Sequence, residues 1–244
     1  TTGDIWGYKL KRNAKGEVII TSAGLPARPS EIEYVACALP DWEGAFNTSL
    51  RFKNWSFSMQ WDGKVGGMTY SQSHHKMCEQ GHLAETLNGR KPGTSLYLDI
   101  ADPDVLKLFE KQKITPVAGV YCIAPGVVDN GDGTYSPNQK LVTLESYYKE
   151  YYRIGNVETN TFSTTYLKLR EVRLDYQLPK SWLKNTFINN ASVGIYGRNL
   201  LCITSYPMYD PETTSLDGNT FVPGVEVGTL PTSRSWGVNL KVDF

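Results

Sequence analysis

Ser235-Trp236-Gly237-Val238-Asn239-Leu240-Lys241-Val242-Asp243-Phe244 is the stretch that decides the fold. Trp236, Val238, Leu240, Val242 and Phe244 alternate strictly with Ser235, Gly237, Asn239, Lys241 and Asp243. Sustained alternation of this kind describes a β-strand with one face in an apolar medium and the other in water. The same period appears upstream. Phe46, Thr48, Leu50 and Phe52 alternate with Asn47, Ser49 and Arg51, and Trp55, Phe57, Met59 and Trp61 alternate with Ser56, Ser58, Gln60 and Asp62. Lys53-Asn54 between these two runs is short enough for a tight hairpin. In Tyr166–Leu178 the apolar phase slips by one at Glu171 and resumes at Val172, the mark of a β-bulge. Ala191, Val193 and Ile195 open a strand that runs to about Leu201, and Ile5–Arg12 is a weaker candidate.

Composition agrees with a β-rich chain. Aromatic residues make up 12% of the 244 residues, with 22 Gly and 13 Pro to punctuate turns. The 25 basic and 25 acidic residues cancel, which argues against nucleic acid as a partner. No apolar run is long enough for a transmembrane helix, and the first thirty residues carry no signal-peptide pattern. Cys37, Cys78, Cys122 and Cys202 are dispersed without a CxxC pair and leave the redox compartment open.

Alternation alone admits both a lipid-facing barrel and a soluble, secreted β-sandwich that binds glycan. Strand length and loop asymmetry separate them. Membrane strands need about 9–11 residues, whereas globular strands average about 5–6. Several runs here reach the longer value and carry aromatics near their ends, as a lipid-facing band with aromatic girdles does. The connections at 13–43, 71–160 and 202–234 are long and fall on one side of an up-and-down meander. Lys53-Asn54 and 179–188 fall on the other. Barrels of the outer membrane have short periplasmic turns and long extracellular loops, and this parity places Phe244 at the periplasmic end.

Residues throughout the chain then resemble the SusC/RagA family of TonB-dependent outer-membrane transporters. The matching stretches include Gly7-Tyr8-Lys9, Pro40-Asp41-Trp42-Glu43-Gly44-Ala45-Phe46-Asn47, Gly66-Gly67-Met68-Thr69-Tyr70-Ser71 and Thr86-Leu87-Asn88-Gly89-Arg90. They continue through Tyr166-Leu167-Lys168-Leu169-Arg170-Glu171-Val172, Tyr176–Leu183 and Gly197-Arg198-Asn199-Leu200. Tyr209-Asp210-Pro211-Glu212 and Pro231–Gly237 complete the set, and only about Pro92–Ala124 lacks a family pattern. The resemblance implies an all-β fold in which residues 1–244 form the C-terminal arc, about six long antiparallel strands, of a large transmembrane β-barrel. The plug and N-terminal strands of such a protein are absent from this sequence. The implied function is energised uptake of a bulky nutrient, most often an oligosaccharide and sometimes a peptide. The implied partners are a SusD-like surface lipoprotein, TonB acting through the missing N-terminal part, the barrel-assembly machinery and outer-membrane lipid.

Candidate functional residues follow. Trp236, Val238, Leu240, Val242 and Phe244 resemble the C-terminal signal read by the barrel-assembly machinery. Trp42, Tyr206, Tyr209 and Phe221 are loop aromatics able to stack on sugars or clasp peptide side chains, and Asp210 lies beside them. On a helix, His75, Cys78 and His82 would share a face able to hold a soft divalent metal, but Gly81 disfavours a regular helix and no outer-shell partner can be named, so the stretch reads as a polar helix of an extracellular loop and no metal is expected. Asp129–Thr134 reads as a hairpin turn rather than a calcium loop, and Asp102-Pro103-Asp104 as a helix cap. No GxSxG, HExxH or phosphate-binding motif occurs, so neither catalysis nor a cofactor is expected.

Overall fold

A computed structural model describes residues 3–212, 215–217 and 220–244, with the side chains at 215–217, 220 and 221 outside the description. The chain forms two compact units. One comprises Ala38–Thr69, Phe162–Thr214 and Thr229–Phe244. It is built on a five-stranded antiparallel sheet whose spatial order follows the chain. Its strands are β1 (Pro40–Phe52), β2 (Trp55–Gly66), β3 (Tyr166–Gln177), β4 (Asn190–Thr204) and β5 (Ser235–Asp243). The expectation was about six long strands; the weak candidate at Ile5–Arg12 reduces to Asp4–Gly7, in the other unit, paired with Glu33–Cys37.

Register turns the sequence alternation into two chemically distinct faces. One cross-strand row reads Phe52, Trp55, Tyr176, Val193 and Leu240. The next reads Leu50, Phe57, Leu174, Ile195 and Val238. Opposite them run Arg51, Ser56, Asp175, Gly194 and Asn239. The apolar face stands open, with Phe52 70% and Val238 73% exposed. Trp42 to Phe52 along β1 spans about 34 Å of strand, which a tilt of about 45° reduces to ~24 Å, close to the ~25 Å apolar band of membrane barrels. A soluble sandwich is not favoured, because it would bury this face beneath a second sheet.

Local geometry is as the sequence requires. Lys53 takes a left-handed φ of 53° in the two-residue hairpin. In β3 the register slips between Leu169 and Glu171: against β2 Arg170 is the extra residue, whereas against β4 both Asn199 and Leu200 lie across from Arg170. Gly197 lies opposite Trp236, and a Cβ there would sit 2.8 Å from the indole ring. The turns at 53–54 and 178–189 leave one end of the sheet and the long connections leave the other. β1 and β5 are edge strands among the described residues, so the sheet is an open arc.

The second unit comprises residues up to Cys37, Tyr70–Thr161 and Ser215–Gly228. The long connection after β2 is therefore not structureless. It holds α1 (Gln72–Glu79), α2 (Pro103–Gln112) and α3 (Leu144–Tyr151), and α3 contributes Leu144 and Tyr148 to a core with Ile20, Leu96, Cys122 and Val142. The Asp102 carboxylate caps α2 by accepting from the Asp104 N–H. Val127–Asp129 and Tyr135–Pro137 form the antiparallel hairpin around 130–134. All four cysteines are free. No described helix is long and apolar enough to cross a membrane, which says nothing about strands.

Candidate functional site

The polar face of the sheet carries an ionic cluster at the end where the long connections leave. Tyr166, Lys168 and Arg170 project from β3, Asp62 projects from β2, and Asp210, Glu212 and Thr232 come from the connection between β4 and β5. Lys168 Nζ is 2.6 Å from Asp210 Oδ1 and also donates to Glu212. Arg170 donates to Asp62 from Nε at 2.5 Å and from its second nitrogen at 2.8 Å, and pairs with Glu212 as well. The Tyr166 hydroxyl donates to Glu212 at 2.7 Å, and Thr232 donates to Asp210 at 2.5 Å. The bulge at Arg170 is what sets this guanidinium beside Asp62. Lys168 and Asp210 are almost wholly buried, with side chains 5% and 2% exposed. Burial alone would raise the Glu212 carboxyl. The hydrogen bonds from Arg170, Lys168 and Tyr166 overcome that and hold it down at about 2. The cluster therefore anchors residues 206–212 to the polar face through charge-assisted bonds.

A second cluster lies in the other unit. His74 and Cys78 occupy successive turns of α1, and Glu85 lies on the short 3-10 turn Ala84–Leu87. His74 Nε2 is 3.1 Å from Glu85 Oε2, and Cys78 Sγ is 3.6 Å from that nitrogen and 3.9 Å from that oxygen. Burial first, and then the Glu85 charge, push the Cys78 thiol up to about 12. His75, by contrast, points its Nδ1 at the Tyr152 carbonyl, and His82 is exposed beyond the end of the helix. The candidate trio His75, Cys78 and His82 does not converge, and the donor atoms that do come together are those of His74, Cys78 and Glu85. α1 ends at Glu79, so residue 82 no longer shares its face.

Comparison with known proteins supplies the context. No family model matches the chain. A TonB-dependent receptor P3 from Formosa agariphila is 23% identical over 212 residues, 84% of this chain and 16% of that protein. The RagAB peptide importer in its closed-closed state superposes with a TM-score of 0.57 over 100% of this chain and 24% of the matched one, at 15% identity. Its open-open state gives 0.53 over 98% and 22%, at 14% identity. In fold the chain is similar to a segment of the RagAB importer's β-barrel. It spans about a sixth of the curated relative's length and about a quarter of the matched importer chain.

Within the chain the residues singled out from sequence fall in different places. Trp236, Val238, Leu240 and Val242 lie on the apolar face of β5, and the exposed Phe244 ring stacks on Phe187 at 5.5 Å. Trp42 stands on β1 beside Val65, in the apolar series, and is 59% exposed. Tyr209 is exposed on the connection after β4. Tyr206 is buried, edge-on to Phe162 at 6.3 Å, and Asp210 is consumed by the ionic anchor. The side chain of Phe221 lies outside the described residues. Sequence reasoning missed Asp62, Lys168, Arg170 and Glu212 as one group. The available signals were two cations on the polar phase of β3 at a bulge, and the paired carboxylates of Asp210-Pro211-Glu212.

Proposed function

We propose that this chain forms the C-terminal wall and loops of an outer-membrane TonB-dependent transporter that imports a bulky nutrient, an oligosaccharide or glycan fragment before a peptide. The observation that carries the reading is the two-faced arc: an open apolar face about one membrane thick, a polar face, and long connections gathered at one end. In this reading the apolar face meets outer-membrane lipid, and the polar face lines the lumen. The short turns and Phe244 lie on the periplasmic side. The free edges of β1 and β5 pair with strands outside this sequence, and closure removes the unpaired backbone that lipid cannot solvate. The barrel-assembly machinery would read the Trp236–Phe244 strand. A SusD-like lipoprotein would cover the extracellular loops, and TonB would act on the plug. Tyr209, exposed on the connection after β4, is the remaining candidate ligand contact, whereas Trp42 on the apolar face would meet lipid. The resulting mechanism is binding and gating, with no chemistry on the nutrient.

Uptake of labelled oligosaccharides and labelled peptides by source cells, with and without the intact gene and with TonB inactivated, tests the proposal. Gene- and TonB-dependent uptake of an oligosaccharide supports it in full, and uptake of peptide alone changes the nutrient class. Uptake of either that survives loss of TonB refutes the transport mechanism.

A further inference from the structure

We propose that His74, Cys78 and Glu85 form a site for a divalent transition-metal ion of the zinc class, independent of what the barrel transports. Among the described residues this is the one group of three ligand-type side chains with donor atoms within 4.8 Å of one another. Four observations carry it.

The first is chemistry. Imidazole, thiolate and carboxylate are the donors that zinc takes, and three protein ligands leave a fourth position open. The second is spacing. A tetrahedral site with zinc-type bond lengths has ligand-to-ligand edges of about 3.3–3.6 Å. The observed edges are 3.1 Å from His74 Nε2 to Glu85, 3.6 Å from Nε2 to Cys78 and 3.9 Å from Cys78 to Glu85. Sγ also lies 3.9 Å from Nδ1, beside the ring, so a turn about the Cys78 Cα–Cβ bond is the adjustment that brings it onto the ion.

The third is the supporting shell. Asn160 donates through Nδ2 to the carbonyls of Tyr152 and Asn156, both at 3.1 Å, which fixes its amide orientation. Its Oδ1 therefore accepts, 3.1 Å away, from His74 Nδ1. That bond puts the ring proton on Nδ1 and aims Nε2 at Glu85, the arrangement that outer-sphere partners give metal-binding histidines. The Tyr152 hydroxyl donates to Glu85 Oε2 at 3.1 Å and orients the carboxylate in the same way. The fourth is access. Glu85 is 44% exposed and, with Tyr152, lines a cleft of about 440 Å³. On binding, the Cys78 S–H bond breaks, its proton leaves to water, and the sulfur–metal bond forms.

The test uses the full-length protein purified from its source, stripped with chelator and titrated with Co²⁺, whose thiolate charge-transfer absorption reports coordination by sulfur. One Co²⁺ per chain with that absorption, displaced by Zn²⁺, is the expected result. Cys78→Ser abolishes the absorption, Glu85→Gln weakens binding by about 10-fold or more, and Tyr152→Phe falls in the range of about 10–100-fold typical of an outer-sphere partner. Cys202→Ser, outside the cluster, leaves the absorption unchanged. If Cys78→Ser does not assemble, the wild-type titration and the exposed Glu85→Gln variant decide the matter. No charge-transfer absorption in the wild type at millimolar Co²⁺, or undiminished affinity in Glu85→Gln, overturns the proposal.

Discussion

Glu212→Gln should release the connection after β4 without dissolving the sheet. The carboxylate accepts from Arg170, Lys168 and Tyr166, and these bonds hold its carboxyl at about 2 instead of 4.5. That difference corresponds to about 3 kcal/mol in favour of the bound carboxylate. The side chain is 31% exposed, and solvent screening brings the figure to about 2 kcal/mol, or ~30-fold in the open population. Gln keeps the shape and loses the charge. Lys168 then retains only Asp210, and Arg170 only Asp62. The assay is amide hydrogen exchange of the full-length protein on peptides covering 205–212. There the Tyr206 N–H donates to Thr204 and the Glu212 N–H to Asp210. Exchange in this segment should rise about 30-fold while β3 and β4 stay protected. The pH dependence has a definite sign. Because the folded carboxyl titrates below its unfolded value, the anchor is complete above about pH 4.5 and loosens as pH falls towards about 2. The variant should lack that dependence. Exchange within twofold of wild type in an assembled variant would refute the anchor.

Two further outcomes test the faces and the last strand. Phe46→Arg places a charge on the apolar row Phe46, Trp61, Leu169 and Leu201, and should destabilise the membrane-inserted protein by about 2–4 kcal/mol in chemical unfolding. Asn47→Arg, one residue along on the polar face, should cost less than about 1 kcal/mol by the same measurement, and equal losses would contradict the assignment of faces. Phe244→Ala removes the exposed ring stacked on Phe187 and should lower the amount of full-length protein in the outer membrane, read by fractionation and heat-modifiable mobility. Wild-type levels would reject the assembly-signal reading.

How much the sequence disclosed depends on the length of each pattern. Trp236–Phe244 and the Phe46–Trp61 hairpin repeat a two-residue period often enough to fix strand, face and turn, and the slip at Glu171 located the bulge to within one residue. The unit around α1–α3 left no such trace. Its strands are short: Ile19–Ile20 pairs in parallel with Val127–Val128, more than a hundred residues away, and neither segment is long enough to show a period. Charges on the polar phase of β3 look the same whether water or Asp210 and Glu212 meets them, so the anchor became visible only through register. The choice between His74 and His75 turned on His75 bonding the Tyr152 carbonyl, and Glu85 reaches Cys78 from a separate 3-10 turn after α1 has ended, which sequence spacing does not reveal.

The transporter reading requires the five-stranded sheet to sit in a membrane with its two faces in different solvents. A spin-label scan of β5 in the full-length protein, reconstituted in lipid, tests this directly. Labels at 236, 238, 240 and 242 should collide with oxygen dissolved in the bilayer, and labels at 235, 237, 239 and 241 with an aqueous nickel complex, in antiphase along the strand. Aqueous accessibility at every position, or no period of two, would contradict it.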